Sequence, residues 1–384
     1  MQVLQKPYFS FFCKDAGRRC HAKGGVTMTG EEMFRGALLG EACGDALGYP
    51  LAALSVGTIE RKFGPYGLRT LVRDKQAGKL APVTDNTQLA LATVDGLLWA
   101  DAKKLDYTEG IYRGYMRWFY SQTGEEPRRG QRTWMRRQPH EKEFCLVREK
   151  FMHARRNPEA GLLKAFSMEL RGTTKTKVNE SGGSAVLSRA VPVGLLYSGD
   201  EKEAFELGVK AGALSHSEPV AYYAAGALAA IISCLSSGVS LPKSIERAHG
   251  LLNKVHKADS IVTLLGAAEQ QAASHPAGKE NAWEHLDAIS SLGTGEAADE
   301  ALAIALYSAL AVDDPMDSVI VAANHEGKSH TTAAITGAIQ GVRFGSSFLP
   351  AYWTDVLEGK RMILAIADKL QHMQEKKLLR DKNK

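Results

Sequence analysis

The stretch NHEGKSHTTAAITGAIQG, Asn324 to Gly341, opens as a polar loop of Gly, Ser, His and Thr and turns at Thr331 into a helix of Ala, Ile and Gly. Hydroxyls at a helix start, beside backbone N–H groups that have no partner within the helix, make a seat for an anion or a metal. Gly337, Gly341 and Gly345 recur every four residues and leave one helix face flat, so another backbone can come close and tight helix packing is expected.

The same period runs outward from this stretch. NTQLALATVDGLLWA (86–100), EAFELGVKAGALSH (203–216), PVAYYAAGALAAIISCL (219–235), SIERAHGLLNKVHKA (244–258) and EAADEALAIALYSAL (296–310) all carry apolar residues at three- and four-residue steps. Alternating strand patterns and Asn-Gly hairpin signals are nearly absent. SVIVAAN, 318–324, is β-branched, but it is short and flanked by helical patterns, so it reads as helix. The reading is one all-α domain over residues 31–370, preceded by a flexible extension (1–30) and followed by a basic tail (371–384). The extension has no helical period and contains GRRCHAKGG. Thr29 is an N-cap candidate with Glu31 and Glu32 behind it, and Met28 is an alternative start.

With 384 residues, 44% of them hydrophobic and 24% charged, the chain can bury a large core. A net charge of +5 is too mild to imply nucleic-acid binding. Five scattered cysteines suggest neither a disulfide framework nor a CxxC pair. The expected compartment is a reducing cytoplasm, with no signal segment and no run long enough to span a membrane.

Four polar islands interrupt the helices: GEACGDALGYP (40–50) around Asp45, VTDNTQ (83–88), NESGGSAVLSRAVPVG (179–194) and the opening stretch. Singly each has a structural explanation, as a cap or a turn. In this order, and with ALSHSEPVAYYAA and GEAADEALAIALYSAL, they resemble the ADP-ribosylglycohydrolase family from about Gly36 to about Gly345. That resemblance implies an all-α orthogonal multi-helix bundle, a two-Mg²⁺ cleft, and hydrolysis of the glycosidic bond joining ADP-ribose to a protein side chain. Two hard cations call for several anionic oxygens, and the bound ions orient ribose hydroxyls and a water.

The sequence departs from that pattern at most ligand positions. The resemblance puts the metal positions at Thr84, Asp85, Asn86, Lys328, His330 and Thr331; Asn86, Lys328 and His330 stand where aspartates belong, and Ala52 stands where a glutamate does. At these positions Asp85 brings one negative charge and Lys328 one positive, where four aspartates would bring four negatives. A protonated lysine offers no lone pair and repels Mg²⁺. Two-metal binding is therefore expected to be lost, with no cofactor, or Mg²⁺ if activity survives. Lys328 is expected to act as a built-in cation paired with Asp85.

Asp45 and Asp85 are the residual catalytic candidates; Ser181, Gly182, Gly183, Ser184, Asn324, Gly327, Lys328 and Ser329 are the ligand-binding candidates. PRRGQRTWMRR, Pro127 to Arg137, falls where the family's Gly-x-Thr loop nears the cleft and offers Arg128, Arg129, Arg132, Arg136 and Arg137 to a phosphate or an acidic partner, or else forms a solvated face. His216, Tyr222 and Tyr223 read as core residues. The favoured expectation is a pseudoenzyme that binds ADP-ribose, an ADP-ribosylated protein or a partner such as an ADP-ribosyltransferase toxin, with the extension and the Arg128–Arg137 run as docking elements. The alternatives are a divergent active hydrolase and a purely structural protein. No nucleic acid or membrane is expected as partner.

Overall fold

The computed structural model describes residues 28–125, 130–156, 158–275 and 281–382. The first helix, Gly30–Gly48, starts on a capping box: Thr29 accepts from the Glu32 N–H at 3.1 Å while the Glu32 carboxylate takes the Thr29 N–H at 2.8 Å. Its face of Gly36, Gly40, Gly44 and Gly48 lies against the backbone of the Ser329–Phe344 helix, at Gly341, Gly337, Ala333 and Ser329 in turn. A Cβ on Gly40 would meet the Gly337 carbonyl carbon at 2.8 Å, and one on Gly36 the Gly341 oxygen at 2.6 Å. The two backbones touch, which joins the two ends of the domain. SVIVAAN also proves helical, inside Pro315–Ala323.

Around this pair the described residues form sixteen α-helices and short 3-10 turns, with isolated β-bridges but no ladder. The fold is all-α and forms a single domain, with a main core from Phe34 to Met373 and a smaller cluster around Ile304 and Tyr307. The Pro219–Ser236 helix is apolar and long enough to cross a membrane, contrary to the expectation that no run reaches that length, but 83% of it is buried in the core. Residues 371–382, read as a tail, continue the final helix, Lys360–Lys382. Met373 and Gln374 are buried there, the Lys377 ammonium sits 4.4 Å over the Tyr197 ring, and Arg380 binds Asp101 at 2.9 Å. The expected extension lies almost wholly outside the described residues.

Candidate functional site

Asp45, in the last turns of the first helix, is fully buried and accepts from the Thr84 N–H at 2.7 Å and from the Thr84 and Thr87 hydroxyls at 2.6 Å each. Thr84 caps the Asp85–Lys103 helix, accepting from the Asn86 N–H at 3.2 Å. Asp45 thus fixes the start of that helix and is not among the residues that line the cleft. The helix start then presents Asp85 and Asn86 to a cleft of about 330 Å³.

Three loops build the opposite wall and are laced together through the backbone. Ser184 N–H donates to Glu296 O at 3.0 Å and Ala298 N–H to Gly182 O at 3.0 Å; Lys328 N–H donates to Thr294 O at 2.9 Å. Gly327, at φ +120°, packs its α-carbon against Thr294, where a side chain would collide. Ser181, Gly182, Gly183, Ser184 and Lys328 line the cleft; Asn324, Gly327 and Ser329 do not. Asn324 instead bridges Leu68, accepting from its N–H at 2.7 Å and donating to its carbonyl at 2.9 Å, and the Ser329 hydroxyl donates to His325 O at 2.8 Å. These residues hold the loop that carries Lys328.

The metal positions can be judged on their donors. Asn86 donates from Nδ2 to the Thr331 hydroxyl at 3.0 Å, and its Oδ1 and His330 Nδ1 are buried with no partner. Burial, with Lys328 and His325 close by, pushes His330 down to about 3, so the ring is neutral. Burial and the neighbouring Asp45 push the Asp85 carboxyl up to about 8, with Lys328 pulling the other way. Lys328 does not pair with Asp85; its Nζ lies 3.3 Å from Glu296 Oε2, and it acts on Asp85 only through space. One aspartate, an amide, a neutral imidazole and an ammonium do not fit two Mg²⁺ ions, which take hard anionic oxygens. Elsewhere Asp95, His140 and Glu141 converge, but the buried Arg117 guanidinium already bridges Asp95 at 2.6 Å and Glu141 at 2.9 Å.

The charge tally from the metal positions alone is incomplete. The cleft is also lined by Glu159, Glu180 and Glu296, none of which the sequence reading singled out as a site residue. Glu180 and Glu296 sit at the exposed rim beside Lys177 and Lys328, whereas Glu159 reaches inward. Glu159 bonds the Ser181 hydroxyl and His216 Nε2, the latter at 3.1 Å. His216 is fully buried, and its Nδ1 faces Arg189 Nη2 at 3.1 Å. A guanidinium only donates, so Nδ1 carries the lone pair and Nε2 the proton. Burial lowers His216 and keeps it neutral. Burial alone would raise Glu159, but the His216 and Ser181 donors, with the Arg189 charge behind them, outweigh it and hold the carboxyl below the usual carboxylate range. The described part of the arginine-rich run lies elsewhere: Trp134 packs edge-on to Trp99 at 6.2 Å and Tyr112 at 6.3 Å, and none of residues 130–137 lines the cleft. Arg128 and Arg129 lie outside the described residues.

Fold and site define an all-α protein with a carboxylate-lined cleft between helix starts and three laced loops. Residues 27–379 match the family model described as ADP-ribosylglycohydrolase, and the chain belongs to that family. It is 25% identical over 354 residues to an uncharacterized protein of Archaeoglobus fulgidus, an alignment covering 89% of this chain and 97% of that protein. A solved structure described as an ADP-ribosylglycohydrolase-related protein complex matches with a TM-score of 0.62 at 20% identity, over 90% of this chain and 99% of that one, and so shares its fold.

Proposed function

We propose that this chain keeps the family's cleft as a binding site for an ADP-ribosyl group, free or carried on a protein, and has lost magnesium-dependent hydrolysis. The observation that carries this reading is the ammonium of Lys328 lining the cleft, paired to Glu296 and adjacent to a neutral His330, where the family places aspartates. A cation there opposes divalent binding, and Asp85 is the single aspartate remaining at the four family positions. The polar lining, the loop of Ser181 to Ser184 and a volume at the lower end of the small-molecule range suit part of a nucleotide sugar.

The test is a calorimetric titration with ADP-ribose in EDTA and again in Mg²⁺, alongside release of ADP-ribose from ADP-ribosyl-arginine and ADP-ribosyl-serine substrates. Binding that is unchanged by EDTA, with no magnesium-dependent release, is the expected result. Magnesium-dependent turnover refutes the proposal.

A further inference from the structure

Glu159 is the N-cap residue of the Ala160–Ser167 helix, yet its side chain does not cap that helix. A short polar side chain at this position ordinarily accepts from the N–H groups of the first turn, which the longer glutamate does not do here. Here the carboxylate is turned away and clamped by two donors from distant segments, Ser181 and His216. Behind His216 stands Arg189, which also donates to the Ser215 hydroxyl at 2.6 Å, so the imidazole cannot flip its proton to the other nitrogen without facing a guanidinium. The loop makes room for this arrangement: a Cβ on Gly183 would meet Glu159 Oε2 at 2.5 Å.

A carboxylate offers about four acceptor directions, and the two donors leave capacity that opens toward the cleft. Around it the wall carries atoms that lack partners: the Ser184 hydroxyl and Asn86 Oδ1. A set that mixes an ionised acceptor with a hydroxyl and an amide suits groups that both donate and accept, which hydroxyls do and phosphates do not. A diphosphate would be repelled by Glu159. A carboxyl held so far below neutrality is also a poor proton acceptor, which favours recognition over general-base work.

We infer that Glu159 is a specificity-determining residue that accepts hydrogen bonds from vicinal sugar hydroxyls of the bound ligand, with His216 and Arg189 as its positioning residues. The inference rests on the reading of the cleft as an ADP-ribosyl site.

The experiment compares ADP-ribose with ADP, which lacks the terminal ribose, by calorimetry in EDTA on the full chain, Glu159→Gln and Gly183→Ala. Loss of one charge-assisted acceptor predicts about 10- to 100-fold weaker ADP-ribose binding in Glu159→Gln and no weakening for ADP. Gly183→Ala keeps the charge, displaces the carboxylate and gives the same pattern; circular dichroism confirms that both variants are folded. Unchanged ADP-ribose affinity in Glu159→Gln, equal losses for both ligands, or displacement of ADP-ribose by free L-arginine overturns the inference alone. A wild-type chain that binds neither nucleotide overturns the reading of the cleft and this inference with it. Nitrogen-15 NMR of His216 supplies a readout for the positioning role: a neutral ring protonated at Nε2 is expected through neutral pH, and the other tautomer or a charged ring contradicts it.

Discussion

Gly40→Ala tests the contact that joins the two ends of the domain. The added methyl would point at the Gly337 carbonyl, whose carbon lies 2.8 Å from the built Cβ, and at Phe348 Cζ at 3.3 Å. The ring can turn aside, but the carbonyl belongs to a helix and can yield only by moving the Ser329–Phe344 helix. Overpacking of this kind costs about 1–3 kcal/mol, and the better helix propensity of alanine returns about 1 kcal/mol. Because the obstacle is backbone, the cost lies at the upper end, and a net loss of about 1–2 kcal/mol is expected. Gly266→Ala is the matched control: it lies inside the Asp259–Ser274 helix with nothing within 4 Å of its Cβ. With no clash it should stabilise by about 0.5–1 kcal/mol. Urea unfolding followed by circular dichroism reads both, and a gain for Gly40→Ala equal to that of Gly266→Ala would refute the close-packed interface.

Three further outcomes follow from buried charges. Arg117→Met leaves Asp95 and Glu141 buried without their cation and should cost about 3–5 kcal/mol in urea unfolding, far more than loss of an exposed pair. His325 and His330 lie at about 4 and about 3 in the folded chain, below the unfolded histidine value, so the unfolded chain binds more protons in that window. Their contribution is present above about pH 6.5 and lost as pH falls, and His330→Asn should flatten this acid limb. Asp85 has the opposite sign: raised to about 8, it favours the folded chain at low pH and withdraws that stability as pH rises through about 8. Asp85→Asn should therefore remove a decline in stability between about pH 4 and pH 8; a profile unchanged by the substitution would show that Asp85 is ionised in the folded protein.

The helical architecture was legible because its signal is local. The Ser329–Phe344 helix carries its four-residue glycine repeat in plain view, and SVIVAAN follows the helical patterns around it. The surface that the repeat packs on was not legible, since Gly36 to Gly48 lie some three hundred residues earlier and nothing local couples the two faces. Within the site, Asp85, Asn86, Lys328, His330, Thr331 and the Ser181–Ser184 loop come together in one cleft. The partners of Asp45 were not legible, because an aspartate ringed by glycines near a helix end looks the same whether it faces solvent or two threonines. Lys328 was assigned the wrong acid for a similar reason: Glu296 becomes its neighbour only through the backbone bond from Lys328 to Thr294. Glu159 had no periodicity or motif to mark it; the one available hint was an acid after Pro158, which by itself predicts no more than a nearby helix start. Its partners Ser181, Arg189 and His216 come from three other segments, and only the fold brings them together.

The most direct measurement is a magnesium titration by calorimetry of the wild-type chain beside a variant carrying Asn86→Asp, Lys328→Asp and His330→Asp, which restores the four carboxylates with Asp85. The account predicts no magnesium binding by the wild type at millimolar concentration and measurable binding by the variant. Two magnesium ions bound by the wild-type chain, with release of ADP-ribose from a modified side chain, would contradict it.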